Sequence, residues 1–370
     1  MSGAVALATI SLDRMAGGLE RNIVYLANHL AKTGTKVVLL TFDRPRAQAY
    51  FEIDPRVTWY RVGASQPHAG ISFRERLRLI GRIRAALRRH GVDRLVCFHH
   101  GILFRFLAAT MLTGIRVVCS ERNSLTIYRH IRRPKWNLNF LLLFLVDAIT
   151  VQFPSYVSLY PRLLRRRIHV VHNPVFPRVT ARMTRAANIL SIGRFAAQKR
   201  FELLVEAFDD ATRDHTEWTL TIVGDGPLKP DIEALVASCG LTGRVALTPP
   251  TRNLEPFFSQ ARLYCQPSQW EGFPNAQAEA MAAGVIPVGP FDTSGVADLI
   301  EDGVNGILAQ SPTTVETLAA ALRRAIETPH RWEDMAEAAR GISRRYSVES
   351  WQAGWDGLLA SLQRPPGSQR

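Results

Sequence analysis

The sequence predicts an α/β protein built as two successive parallel-sheet domains. Short β-branched apolar runs alternate with helical patterns along the chain. The alternation stops at Asn173-Pro174 and a polar stretch, then starts again near residue 187. The 370 residues exceed one ordinary domain, at roughly 100–200 residues each. An apolar share of 46% with 21% charged residues excludes wholesale disorder.

In the first series VALATI (5–10) is a buried strand, followed by a Gly17-Gly18 turn and a helix over 19–32. KVVLLTF (36–42) is the next strand. A basic helix over 73–89 leads through Gly91 to a strand at 93–98, and a further helix leads to RVVCSE (116–121). Residues 137–146 are expected to be helical ahead of a strand at 147–152, and IHVVHNPV (168–175) closes on the Asn-Pro breaker. In the second series 187–195 is a strand with a glycine turn, 199–211 an amphipathic helix, 218–227 a strand and turn, and 231–240 a helix. RVALTP, ARLYCQPS and GVIPVG give further strands, with NAQAEAMAAG helical between the last two. These patterns read as Rossmann-like domains over 1–174 and 175–345. Residues 346–363 set Trp351, Trp355 and Leu358 at helical spacing, so this segment should pack on a domain face, and the tail 364–370 should be disordered.

Charge divides the chain. The net charge is +14, with 41 Arg against 5 Lys. Residues 1–172 hold 27 basic and 9 acidic residues, and 173–370 hold 19 and 23, so the front half carries +18 and the rear −4. The front half should favour an anionic partner: a membrane surface, a phosphorylated lipid or nucleic acid. Cys97, Cys119, Cys239 and Cys265 are far apart, which fits a reducing compartment and offers no zinc or disulfide pattern. MSGAVALATISLDR lacks a basic start and reads as a first strand instead of a leader. The run 138–146 is short of the ~20 residues that span a bilayer. Membrane contact is therefore expected to be peripheral.

Two loops concentrate the chemistry. In QPSQWEGFPNAQAEAMAAG (266–284) a strand end is followed by Glu271, Gly272, Phe273 and Pro274, and a helix begins near Asn275 and Ala276. Glu279 lies about one turn inside. Helix N-terminal amides can hold hydroxyl or phosphate oxygens, and ionised carboxylates accept hydrogen bonds from sugar hydroxyls. In SIGRFAAQKRF (191–201) Gly193 and Arg194 end a strand and Lys199 opens the following helix. Two cations at the C-terminal end of a parallel strand suit a diphosphate.

GRFAAQK, IVGDGP (222–227) and the E-x7-E of EGFPNAQAE resemble the donor domain of family 4 retaining glycosyltransferases of the GT-B fold. GGLERNIVYLANHLAKTGTKVVLLTF (17–42) and HNPV (172–175) extend the likeness over nearly the whole chain. The resemblance implies two Rossmann-like domains facing across a cleft, with the last helix returning to the first domain. It also implies a nucleotide-sugar donor, by family habit a UDP-sugar, and a net-retaining transfer with no bound metal or other cofactor. By the same likeness Glu271 contacts the donor sugar, Glu279 the ribose hydroxyls, and Arg194 and Lys199 the diphosphate. Gly17, Gly18, Gly193, Gly224, Gly272, Phe273, Asn275 and Ala276 belong to the donor site. The Gly17-Gly18 turn takes a phosphate role within this likeness.

The front half departs from the pattern. Many relatives end the strand at 116–121 with a histidine, whereas here that position falls on Ser120 or Glu121. Glu121 and Arg122 are candidates to face the acceptor, or else to form a structural salt bridge. His99 and His100 are alternatives for the missing histidine. Ser-Glu-Arg-Asn resembles a subgroup that extends lipid-linked or cell-surface oligosaccharides, so a polyprenyl-diphosphate-linked or other envelope glycan is the expected acceptor. In FRERLRLIGRIRAALRRHG (73–91) Phe73, Leu77, Ile80, Ile83 and Leu87 are expected on one apolar stripe. Arg74, Arg78 and Arg82 form a basic ridge for anionic lipid, with Trp136 in a second basic stretch. The expected location is the cytoplasmic face of an inner membrane. A soluble transferase with a small acceptor, or a sugar-nucleotide epimerase, is the alternative within the fold. A nucleic-acid-binding protein would explain the charge, but no aromatic residues interleave with the basic clusters as stacking platforms.

Overall fold

A computed structural model describes residues 3–63, 72–129, 138–178 and 185–363. Trp136 and the tail 364–370 lie outside them. The chain forms two compact units, one of residues 1–172 with 349–370, the other of 173–348.

The first unit holds a seven-stranded sheet: β1 (Ala4–Ala8), β2 (Val37–Thr41), β3 (Thr58–Arg61), β4 (Val92–Phe98), β5 (Arg116–Ser120), β6 (Ala148–Val151) and β7 (Ile168–Val170). They lie in the order β3-β2-β1-β4-β5-β6-β7, every neighbouring pair parallel. β1, β2 and β6 are wholly buried, which explains their unbroken apolar runs. The helix Gly18–Lys32 turns Ile23, Val24, Leu26, Ala27 and Leu30 into the core. The final helix, Val348–Ser361, brings Trp351, Trp355, Leu358 and Leu359 into that same core, against residues of β1, β2 and β4.

Two expectations are corrected here. The helix Phe73–Arg89 starts at a Ser72/Glu75 capping box, but its buried face is Leu79, Ile83, Ala86 and Leu87. Phe73 and Leu77 are 73% and 52% exposed. At about 100° per residue, Leu77 falls some 200° round from Leu79, outside the stripe that meets the sheet. Residues 138–145 do not form one helix: an α-turn, Leu138–Leu141, passes into a 3-10 stretch, Leu142–Leu145. The apolar run 140–146 carries no period to tell these apart.

The second unit has six parallel strands: β8 (Asn188–Ile192), β9 (Thr219–Val223), β10 (Val245–Thr248), β11 (Leu263–Cys265), β12 (Ile286–Pro290) and β13 (Ile307–Ala309). Their order is β10-β9-β8-β11-β12-β13. Chain direction across each sheet reverses once, between β1 and β4 and between β8 and β11. Ligands of open α/β sheets bind beyond the carboxyl ends of the strands at such a reversal. The loops after β8 and β11 therefore meet at the favoured place.

Candidate functional site

Those two loops in the second unit are the GRFAAQK and QWEGFPNAQAE segments. They are stitched together: Gln269 N donates to Gln198 O at 2.8 Å, and Gln198 Nε2 to Trp270 O at 2.7 Å. A 3-10 turn, Ala197–Lys199, ends at Arg200 in a left-handed conformation (φ +51°) before the helix Phe201–Ala211. Phe195 and Phe201 bury the base of this loop edge to face at 5.1 Å. A Cβ on Gly193 would lie 3.0 Å from Lys199 Cε, so glycine leaves room for the lysine stem to cross the backbone. Lys199 Nζ then reaches Glu271 Oε1 at 2.6 Å.

Glu271 is buried, and the same oxygen takes Gln266 Nε2 at 3.2 Å. Tyr264, in β11, donates to Gln266 Oε1 at 2.7 Å and so orients that amide. Arg194, adjoining Gly193, is exposed. Glu279 stands in the helix Asn275–Ala282 and receives Arg178 at 3.0 Å. Arg178 also pairs with Glu255 at 3.2 Å and lies 4.9 Å over the Phe258 ring. Asn275 at the head of that helix accepts from Asn173 of the HNPV segment at 3.0 Å. Phe273 packs on Tyr346. Gly272 is buried and Ala276 half-buried.

The structure gives Gly224 a packing task. A Cβ there would overlap the Gly193 carbonyl oxygen, where the two post-strand loops are joined by Gly193 N to Val223 O at 3.0 Å and Phe195 N to Asp225 O at 2.9 Å. In the first unit a Cβ on Gly17 would overlap Glu20 Oε2. Burial raises the Glu20 carboxyl above its ordinary range. The helix that opens at Gly18 thus already has a carboxylate over its first turn, where a phosphate was expected.

At the carboxyl ends of β4 and β5 lies a separate buried cluster. His99 has φ +87°, a backbone conformation rare outside glycine. His100 and Glu121 are both buried, and His100 Nδ1 lies 2.9 Å from Glu121 Oε1. Glu121 also accepts from the His100 backbone N at 2.9 Å and from Cys119 Sγ at 3.2 Å. Burial opposes its charge, but the facing His100 outweighs it and holds the carboxyl down at about 2. For His100 burial works downward and the carboxylate raises it overall. Glu121 is therefore not turned out towards an acceptor, and its ionic partner is His100. Arg122 stacks 4.9 Å over the Phe98 ring. Ser120 bonds Thr150 Oγ1 at 2.8 Å inside the sheet. One ligand atom from each of His99, His100 and Glu121 falls within 4.8 Å of the others.

Sequence reasoning missed Arg178, Gln266 and Tyr128, the last with its hydroxyl 2.7 Å from His100 Nε2. Arg178 follows the HNPV segment with no local pattern to mark it. Gln266 directly follows its strand, and a buried-strand run ending on an amide is the local signal that could have found it.

Residues 176–342 match the family described as Glycosyl transferases group 1, and residues 16–178 match Glycosyltransferase Family 4. An uncharacterized glycosyltransferase of Haemophilus influenzae is 24% identical over 93% of this chain and 96% of its own length. A Campylobacter jejuni relative is 22% identical over 94% of this chain and 96% of its own. It is named as an α-1,4-N-acetyl-D-galactosaminyltransferase acting on a diNAcBac-PP-undecaprenol-linked glycan. The pneumococcal O-GlcNAc transferase, solved with UDP and GlcNAc, superposes with a TM-score of 0.80 at 13% identity, covering 98% of this chain and 99% of that one. Both halves thus match glycosyltransferase families and the whole chain shares their architecture: the protein is a family 4 glycosyltransferase of the GT-B fold.

Proposed function

We propose that this enzyme transfers a sugar, with retention, from a UDP-sugar to a lipid-diphosphate-linked or other envelope glycan. The observation that carries the donor half is the pair of half-buried Lys199 and buried Glu271 at 2.6 Å, set where the β8 and β11 loops meet. When the glycosyl–phosphate bond breaks, negative charge grows on the leaving diphosphate. Lys199 and Arg194 would stabilise it, and Glu271 keeps the lysine ammonium in place. The acceptor oxygen bonds the anomeric carbon on the face the diphosphate leaves, and its proton passes to the leaving phosphate oxygen. Configuration is then retained without an enzyme nucleophile. Glu279, steadied by Arg178, would accept from the ribose hydroxyls.

The lipid-linked acceptor is supported by the Campylobacter relative and by the surface of the helix Phe73–Arg89. Phe73 and Leu77 are exposed beside the exposed Arg74, Arg78 and Arg82, a pairing of apolar and cationic groups suited to an anionic bilayer surface. Leu141 and Leu145 are also exposed. No helix among the described residues is long and apolar enough to cross a membrane. Peripheral contact at a cytoplasmic leaflet follows as part of the proposal.

A panel of radiolabelled nucleotide sugars incubated with membrane lipid extract, with product mass read out, tests both halves. Label entering lipid from a UDP-sugar, lost in Lys199→Ala, is expected; label entering only water-soluble product would discard the lipid acceptor.

A further inference from the structure

We infer that Tyr128 is an acceptor-binding residue whose hydroxyl is oriented by the buried Glu121–His100 pair; the inference rests on the transferase function proposed above. An ionised carboxylate only accepts, and Glu121 takes three donors: the His100 backbone N, His100 Nδ1 and the Cys119 thiol. The proton on Nδ1 is thereby fixed. His100 Nε2 is left to face the Tyr128 hydroxyl at 2.7 Å. With His100 neutral, Nε2 accepts from the phenol, and the phenol oxygen turns its lone pairs to an incoming hydroxyl. With His100 charged, Nε2–H donates to that oxygen and the phenol becomes a donor. One proton on a buried ring therefore sets the polarity that Tyr128 presents.

Three features mark this as a site and not a packing accident. A buried acid–base pair is costly to desolvate and the sheet needs neither charge, since the neighbouring Ser120–Thr150 rung is neutral. The backbone at His99 is strained, and such strain collects at ligand sites. It is held by His99 N to Ser120 O at 2.8 Å and Gly101 N to His99 Nδ1 at 2.9 Å. The turn stacks the two imidazoles at 4.4 Å and drives His100 against Glu121. Finally, the half-buried Tyr128 stands just past the carboxyl ends of β4 and β5, the ligand-binding edge of a parallel sheet. The nucleotide-binding loops belong to the second unit, which leaves this edge for the acceptor glycan. Both His100 nitrogens and His99 Nδ1 already have hydrogen-bond partners, which favours a proton relay over a metal here.

The test compares full-length wild type, Tyr128→Phe and His100→Gln, using a UDP-sugar and titrated membrane lipid extract. Tyr128→Phe should raise half-saturation by extract roughly 3–10-fold, the worth of one net hydrogen bond, with UDP affinity unchanged. Wild-type half-saturation should vary with pH as His100 titrates, and that dependence should vanish in Tyr128→Phe and His100→Gln. Other groups around the relay are His99, Cys119, Arg122, Tyr156 and Tyr160. Tyr128→Phe is the milder change and preserves the ring packing if His100→Gln folds poorly. Unchanged half-saturation and pH dependence in Tyr128→Phe, with wild type binding UDP and transferring sugar, overturns this inference alone. Wild type that does neither overturns the transferase function and this with it. One tightly held Zn²⁺ per chain in equilibrium dialysis, lost in His100→Gln, overturns it in favour of a metal centre.

Discussion

Lys199 Nζ and Glu271 Oε1 meet at 2.6 Å across 72 residues of sequence, one from the loop after β8 and the other from the loop after β11. Both side chains are largely shielded from water, so removing either one leaves the other's charge poorly compensated. Lys199→Ala is expected to slow transfer by roughly 10²–10³, the usual loss for one electrostatic donor to developing charge. It also strands a buried carboxylate and should lower the melting temperature. Adding Glu271→Ala to it should cost less than the two single losses summed, because the pair acts as one unit; thermal melts and single-turnover rates of all four proteins close the cycle.

Gly224→Ala should act on stability before chemistry. The new methyl has to displace the Gly193 carbonyl oxygen, a backbone atom with no rotamer to escape into. Overpacking of this kind costs about 1–3 kcal/mol. Gly243, with open space round it, is the matched control, and Gly243→Ala should leave the urea midpoint near that of wild type.

The His100–Glu121 pair predicts a pH window. Glu121 is held at about 2, below its ordinary 4.5, so its share of stability is complete above 4.5 and disappears as pH falls towards 2. His100 is raised from 6.5, so its share is complete below 6.5 and disappears as pH rises through its folded value. The pair contributes most between about 4.5 and 6.5. Urea midpoints of wild type and Glu121→Gln should diverge most there and converge in stronger acid; a constant difference from pH 3 to pH 9 would disprove the pairing.

Trp355 has no exposed surface and packs 6.1 Å from Phe98 in β4. Removing it should destabilise the first unit by about 3–5 kcal/mol, whereas Trp355→Phe should keep most of the packing. Limited proteolysis under mild urea, with fragments mapped to residues 1–172, distinguishes this local loss from global unfolding.

Much of the fold is legible in the sequence because parallel strands buried on both faces leave continuous apolar runs, as in KVVLLTF, and helices between them keep their period. The two loops of the candidate site are legible for a similar reason: Arg194, Lys199, Glu271 and Glu279 fall in short contiguous segments beside strand ends. What escapes is long-range pairing. Arg178 meets Glu255 and Glu279 at separations of 77 and 101 residues, and nothing local marks it. The Glu121–His100–Tyr128 chain joins three elements, so Glu121 reads as an acceptor-facing or salt-bridging acid beside Arg122 until the topology brings β4 beside β5. Phe73 and Leu77 mislead in the opposite way. Their spacing imitates a core stripe, yet the buried face of Leu79, Ile83, Ala86 and Leu87 lies round the helix from Leu77.

The core of the first unit is finished by Trp351, Trp355 and Leu358, which follow the whole second unit along the chain. A ribosome that has delivered residues 1–172 has produced seven strands with part of their apolar surface still bare. That surface must wait for the whole second unit to emerge, a nascent-chain interval of about 10–40 s at roughly 5–20 residues per second. During that interval the growing polypeptide is a natural client for holding chaperones.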